Sequence, residues 1–371
     1  MVDMIEIIEA GAQSLSAAVD GLSSAARIEL ADGLSSEAVN LKRTEDCRFS
    51  PNGKVIAVAG FLTDTILLFE ISQQHVAGNL VVRIEGKLTL THPRLSRPHG
   101  IDFIDETTIA VANRDGRLII LKLPQVPFDG RTVPAKMLMR RKRIWMKHKL
   151  KTPGSVAVTR KGRFTYELLT CLNYRNTVAS PRFLRLGDLH LPFGGRIALQ
   201  RGMEIPDGVS ICPETARVAI SNHNENAIRL YSHYDDLRPN AHPVGRLLGM
   251  AYPHGLRFFD KGRRLMAADA GAPLIHYWRD DTAKWDGDRT PTASFRIMDK
   301  ETFAAGRYND QEGGPKGIDI HPSGAFLVVT SEHQGFAAFD VPKLLQRLET
   351  DKTEPAASDD LPETPAAAAA T

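Results

Sequence analysis

One short phrase of residues recurs six times along the chain: an x-Gly step, an apolar-x-apolar run, a tight turn and a second apolar run. The copies begin at Glu45-Asp46-Cys47, Pro98-His99-Gly100, Pro153-Gly154-Ser155, Pro206-Asp207-Gly208, Pro253-His254-Gly255 and Pro315-Lys316-Gly317. Successive starts lie 53, 55, 53, 47 and 62 residues apart. A period of about fifty residues is that of a propeller blade. Length alone, 371 residues, would suggest two or three domains. The repeat gathers the chain into one ring instead. The expected fold is all-β: a six-bladed β-propeller of four-stranded antiparallel blades, with an N-terminal helical extension and a disordered C-terminal tail.

Each copy follows the same grammar. A short inner strand such as Val209-Ser210-Ile211 leads into a hairpin such as Asp260-Lys261-Gly262 or Ser50-Pro51-Asn52-Gly53. Gly and Asn supply the positive φ of such turns, and Pro presets their entry. The second strand is the most apolar (Val55 to Ala59, Ile109 to Ala112) and a third follows, as in Leu118-Ile119-Ile120-Leu121. More polar outer strands precede the next copy.

The ends differ in kind. Residues 1–26 carry apolar side chains at helical spacing, weakened by Gly11 and Gly21. The propeller is expected over 27–342. Its last blade runs out of chain after three strands, so the alternating stretch Ala26-Arg27-Ile28-Glu29-Leu30 is expected to complete it. Residues 343–350 read as a short helix, and the acidic, Pro-rich and polyalanine tail 351–371 reads as disordered.

Bulk properties exclude several partner classes. A net charge of +3 implies neither nucleic acid nor an anionic membrane. The most basic stretch, Met137 to Lys149, reads as a solvated outer strand, since edge strands are commonly charged. No window reaches the length of a membrane span, and the N-terminus lacks a signal-peptide pattern, so a cytoplasmic protein is expected. Cys47, Cys171 and Cys212 are scattered within apolar runs and read as packing residues. No nucleophile elbow, P-loop, dinucleotide fingerprint or His-Glu-x-x-His occurs.

Propeller geometry turns the repeat into a map of one channel mouth. The residue before the first-strand Gly and the residues ending the second strand converge there. The start position holds Asp46, His99, Gly154, Asp207, His254 and Lys316. The end position holds Asn113, Asn173, Asn222 with His223, Asp269, and Glu332 with His333, whereas blade one offers only Gly60 and Phe61. Imidazoles and carboxylates together suit a divalent cation, Zn or Mn where His dominates and Ca in all-oxygen sets. The candidate metal set is Asp46, His99, Asp207 and His254. The plain alternative is that Asp and Asn at strand ends bond their own turns, and that the Gly step only avoids a Cβ near the axis.

Pro206-Asp207-Gly208-Val209-Ser210-Ile211 and Pro98-His99-Gly100-Ile101-Asp102-Phe103 resemble blades of the six-bladed TolB-like and NHL-like superfamily. That group includes the gluconolactonase and senescence-marker-protein family of metal-dependent lactonases. In that family, ligands come from the residue before Gly at strand starts. By the resemblance Asp207 matches the Asp of a Pro-Asp-Gly step, and Glu45 or Asp46 stands near the first-blade Glu. The family's Asn-Gly ligand step has no counterpart at Pro153-Gly154-Ser155, and two His occupy rim positions instead.

Three functions remain open from the sequence. The first is a metal-dependent lactone or ester hydrolase, with Asp207, His99 and His254 holding the metal or activating water. In it Asn113, Asn222, Asp269, Lys316 and Glu332 bind a small molecule at the mouth, Lys316 facing an oxyanion. The second is a non-catalytic propeller that binds a protein or polysaccharide partner on one face. The third is a propeller lyase that abstracts a proton through His.

Overall fold

A computed structural model describes residues 18–35, 41–145, 148–333, 335 and 337–350. The expected N-terminal helix falls largely in residues 1–17, and the expected tail falls in 351–371, both outside the described residues.

Six antiparallel sheets follow one another, as the repeat requires. Their inner strands are Thr44–Phe49, Pro98–Asp105, Pro153–Arg160, Pro206–Ile211, Pro253–Phe259 and Pro315–Ile320. Each inner strand packs on the next, and the sixth returns to the first, so the ring is closed. In every blade the first residue of the inner strand faces the end of the second. Pro98 pairs with Asn113, Pro206 with Asn222, Pro253 with Asp269 and Pro315 with Ser331. Strand starts and strand ends therefore share one mouth.

The apolar faces of successive blades form the core. Ile101, Val111 and Ile119 of blade two pack on Ala57, Ile66 and Leu68 of blade one, and an equivalent cluster fills each of the other five gaps. Burying each such aliphatic side chain is worth about 1.5–3 kcal/mol, so the alternating apolar residues fix both register and ring.

The recurrent Gly is a close-approach residue. A Cβ on Gly208 would lie 2.0 Å from the His254 carbonyl of blade five, and one on Gly255 would lie 2.5 Å from the Lys316 carbonyl of blade six. Gly100 meets the Ser155 backbone at 2.4 Å in the same way. The step lets neighbouring inner strands touch near the axis.

Blade one breaks this pattern, and the break moves one candidate. Thr44 pairs with Gly60 as Pro98 pairs with Asn113. Glu45 therefore occupies the rim position of His99, and Asp46 stands where blades two, four, five and six have Gly and blade three has Ser155. Asp46 points below the rim: Ile101 N donates to it at 3.1 Å and Arg48 Nη1 at 2.9 Å. A shift of one residue reverses the face of a strand, which takes Asp46 out of the set converging at the mouth.

Four-stranded blades are the rule, with additions and one exception. Blades one, four and five each gain a short parallel strand at the outer edge. Among the described residues, blade six has three strands, Pro315–Ile320, Phe326–Ser331 and Ala337–Asp340. The N-terminal strand does not serve as its fourth strand. A single antiparallel bridge joins Ala25 to Phe339, and Arg27–Leu30 runs on to pair in parallel with Val81 to Ile84 of blade one. Upstream, Val19–Asp20 lies parallel to Phe295 and Arg296 of blade five. One segment thus straps three consecutive blades across the seam. Helix Val341–Thr350 follows, with Val341 and Leu344 buried between blades five and six.

Elsewhere the plain readings hold. All three cysteines are buried and free. The basic stretch forms the outer strand Lys136–Arg141 and a small hairpin of Arg143–Trp145 with His148–Lys149. Arg141 turns inward and donates to the carbonyls of Arg143, Ile144, Arg182 and Gly194.

Candidate metal centre at the channel mouth

Five buried side chains from four blades meet at the mouth: Glu45, His99, Asp207, His223 and His254. His254 Nε2 lies 3.1 Å from Asp207 Oδ2 and 3.5 Å from Glu45 Oε2. His99 Nε2 is 3.7 Å from Glu45 Oε2 and 3.8 Å from Asp207 Oδ1, and His223 Nε2 is 3.6 Å from Asp207 Oδ2. Two three-residue groupings share His254: Glu45 with His99, and Asp207 with His223. Ligand atoms around a cation with bonds of about 2.1 Å lie roughly 3–3.5 Å apart. The observed separations sit at and just above that range.

The strand grammar explains how these residues arrive. Glu45, His99, Asp207 and His254 each occupy the second position of an inner strand. His223 enters differently, from a 3-10 turn, His223–Glu225, that follows the second strand of blade four. Its ring lies 4.1 Å from that of Tyr252 and 5.5 Å from that of His254, centroid to centroid.

Electrostatics favour a cation here. Burial pulls the His99 imidazole down to about 3, with Arg114 adding to the effect, and burial pulls His223 down to about 4. Both rings are neutral near pH 7, with lone pairs to offer. Burial opposes ionisation of Asp207, but His254, His99 and His223 outweigh it and hold that carboxyl well below its usual range. Burial likewise opposes ionisation of Glu45, and Lys316 reverses the balance. Asp207 Oδ2 and His223 Nε2 have no hydrogen-bond partner although both are buried. Unpaired buried polar atoms are costly, and these converge on the same point. The residues present therefore fit a divalent cation.

Beside this cluster stands an ion network. Lys316 Nζ, fully buried, reaches Glu312 Oε2 at 2.7 Å, Glu45 Oε2 at 3.3 Å and Glu332 Oε1. Burial lowers its ammonium pKa, and the three carboxylates more than restore it. Arg43 Nε lies 2.8 Å from Glu45 Oε1 and 3.2 Å from Glu332 Oε1. Lys316 and Arg43 thus hold Glu45 in place, and both also pair with Glu332.

The strand-end amides and carboxylate are likewise committed. Asn113 accepts from Ser96 N and donates to Arg94 O. Asn222 accepts from Glu204 N and donates to Gly202 O and Glu225 Oε2. Asp269 accepts from the backbone of Ala251, Tyr252 and Gly271, and lies 3.0 Å from His276 Nε2. All three tie the chain entering a blade to that blade's second strand. Of the sequence candidates, His99, Asp207 and His254 come together, Lys316 and Glu332 lie one layer out, and Asn113, Asn222, Asp269 and Asp46 serve the framework.

The rim above the cluster carries Arg114, its guanidinium 5.3 Å from the Tyr174 ring centroid and its Nη1 buried without a partner. Exposed Leu62, Tyr174 and Tyr308 belong to the loops of the same face.

The strand pairing defines a six-bladed β-propeller. A chain in the crystal structure of a nidogen/laminin complex is similar at 15% identity and a TM-score of 0.47, over 69% of this chain and 81% of that one. A functionally unknown protein from Desulfotomaculum acetoxidans is similar at 13% identity and a TM-score of 0.46, over 75% and 73% of the two chains. No family model and no curated protein matches the sequence.

Proposed function

We propose that this propeller holds a divalent cation of the zinc or manganese type at its channel mouth and hydrolyses a small lactone or ester there. The observation that carries the reading is the convergence of three imidazole Nε2 atoms on two carboxylates, all buried, with Asp207 Oδ2 and His223 Nε2 lacking other partners. Three imidazoles favour a borderline metal over calcium. Glu45, His99, Asp207, His223 and His254 would hold it. When bound, such an ion polarises a carbonyl and lowers the pKa of water.

The remaining roles follow from position. Lys316 keeps Glu45 ionised and fixed. Asn173 donates to Asp207 Oδ1, which orients that carboxylate and leaves Oδ2 directed at the imidazoles. Arg114, poised over the cluster with a free donor, is placed to orient a substrate oxygen. The apolar rim of Leu62, Tyr174 and Tyr308 suits a substrate with a hydrocarbon part.

Elemental analysis of the purified protein, followed by a lactone and aryl-ester panel, tests this reading. One zinc or manganese per chain and turnover abolished by His254→Ala are expected. Absence of bound metal after incubation with either ion overturns the metal centre. Metal without turnover on any member of the panel overturns the hydrolase.

A further inference from the structure

The outer hairpin of blade three is turned inside out. Its strands, Thr177–Leu186 and Leu189–Leu199, pair Leu186 with Leu189, Leu184 with Leu191 and Arg185 with His190. Directly opposed residues share a face. Leu184, Leu186, Leu189 and Leu191 therefore form one strip, and Arg185 and His190 form the other face. The polar face is the one that packs: His190 is buried with Nδ1 2.7 Å from Tyr166 Oη, and Arg185 pairs with Asp105. The apolar face looks outward, with Leu186, Leu189 and Leu191 exposed by 49%, 51% and 42%.

The comparable hairpin of blade one has the ordinary polarity. Its distal strand exposes Ser72, Gln73, Gln74 and His75, with Val76 at the tip, while Leu80 and Val82 on the paired strand are buried. Long hairpins on this ring do not expose leucine by necessity.

The strip also gathers the exposed apolar residues of the molecule. Of eleven large apolar side chains exposed among the described residues, six lie here: Trp145, Phe164, Leu186, Leu189, Leu191 and Phe193. Phe164 O accepts from Arg185 N, and the hairpin of Arg143–Trp145 abuts Gly194 and Gly195 at the base of the strip. That small hairpin presents Lys149 and His148 to solvent, with Arg140 and Lys142 exposed just before it. Of the nearby acids, Asp115 pairs with Arg117 at 2.9 Å and also feels the charges of Lys142 and Arg140, while Asp188 is committed to Lys122 and Lys136, Glu167 to Arg182 and Asp105 to Arg185.

We infer that this hairpin docks the propeller on an anionic lipid surface. A projecting apolar ridge with an aromatic at its base and a flank of cations matches the layered chemistry of a bilayer interface, acyl chains below and anionic headgroups above. The cations complement the lipid phosphates and the ridge replaces water at the acyl boundary. The local charge decides this, because the near-neutral net charge averages it away.

Trp145 reports the event. It is exposed, whereas Trp278 and Trp285 are buried at 1% and 0%. With vesicles of phosphatidylcholine containing about 30 mol% phosphatidylserine, the full chain should co-sediment and its tryptophan emission should shift to the blue. Pure phosphatidylcholine vesicles should give neither. The double variant Leu189→Asp/Leu191→Asp should lose more than about tenfold in partitioning with its unfolding midpoint unchanged. The pair Lys142→Glu/Lys149→Glu should lose the preference for phosphatidylserine. No sedimentation with anionic vesicles, or equal sedimentation of native and double-variant protein, overturns the inference. So does a native dimer that Leu189→Asp dissociates, which would make the strip a contact between copies of this chain.

Discussion

His254 Nε2 stands 3.1 Å from Asp207 Oδ2 across the joint between blades four and five, without a well-aligned hydrogen bond between them. A buried imidazole and a buried carboxylate at that distance, with the carboxylate oxygen otherwise unpaired, share a target more readily than they satisfy each other. Asp207→Asn keeps the shape and removes the charge. It should lower metal affinity by more than about a hundredfold, read by competition with a chromophoric chelator. An unchanged affinity would place the ion elsewhere.

Lys316→Met should destabilise the fold by about 3–5 kcal/mol. It leaves Glu45, Glu312 and Glu332 buried or half-buried against Arg43 alone. A urea titration gives the number. A variant as stable as native, with only turnover lost, would return Lys316 to the role of a substrate ligand.

Gly208→Ala should cost about 1–3 kcal/mol or more. Its Cβ would fall 2.0 Å from the His254 carbonyl, and backbone cannot step aside as a flexible side chain can. Gly324→Ala is the control in space, since nothing lies within 4 Å of its Cβ, though its positive φ carries a strain of its own. Equal small losses at the two sites would deny the close approach of inner strands.

Below the carboxylate–imidazole cluster, Asp319 accepts from Phe49 N at 2.7 Å and from Arg257 Nε at 2.7 Å, locking blade six to blades one and five. Burial raises its pKa to about 6, against the pull of Arg48 and the Phe49 amide. The folded chain then holds this proton more tightly than the unfolded chain between about pH 4 and 6. Its contribution to stability is fully present below about pH 4 and is lost as pH rises through about 6. Asp319→Asn should remove that component, so native minus variant stability should fall as pH rises across the window. A flat difference would refute the shift.

The ring was legible because its markers are local: turn residues and apolar alternation recur in each copy, and a Gly step in all but the first. The buried cluster at the mouth was legible where those markers persist, at His99, Asp207 and His254. Blade one has neither Pro nor Gly at its start, so the rim residue read as Asp46 is one place late. Aligning Cys47 and Phe49 with Ile101 and Phe103 would have put Glu45 opposite His99. His223 stood beside a strand end in the sequence, but its turn decides its direction. A signal existed in the matching turns Asn173–Arg175 and His223–Glu225, each closed by a left-handed Asn. The strap across the seam left no signal, since parallel pairing between residues 27–30 and 81–84 depends on a ring that must first exist.

The Glu45–Lys316 contact joins residues 271 positions apart and crosses the seam between the first and last blades. A chain emerging from the ribosome carries Glu45 early and receives its counter-charge only when blade six is made. Until then a carboxylate destined for burial stays in water, and the mouth lacks its full set of groups. The mouth is therefore complete only when the ring is closed, and a half-made or sprung-open propeller leaves Glu45 without the cation that neutralises it.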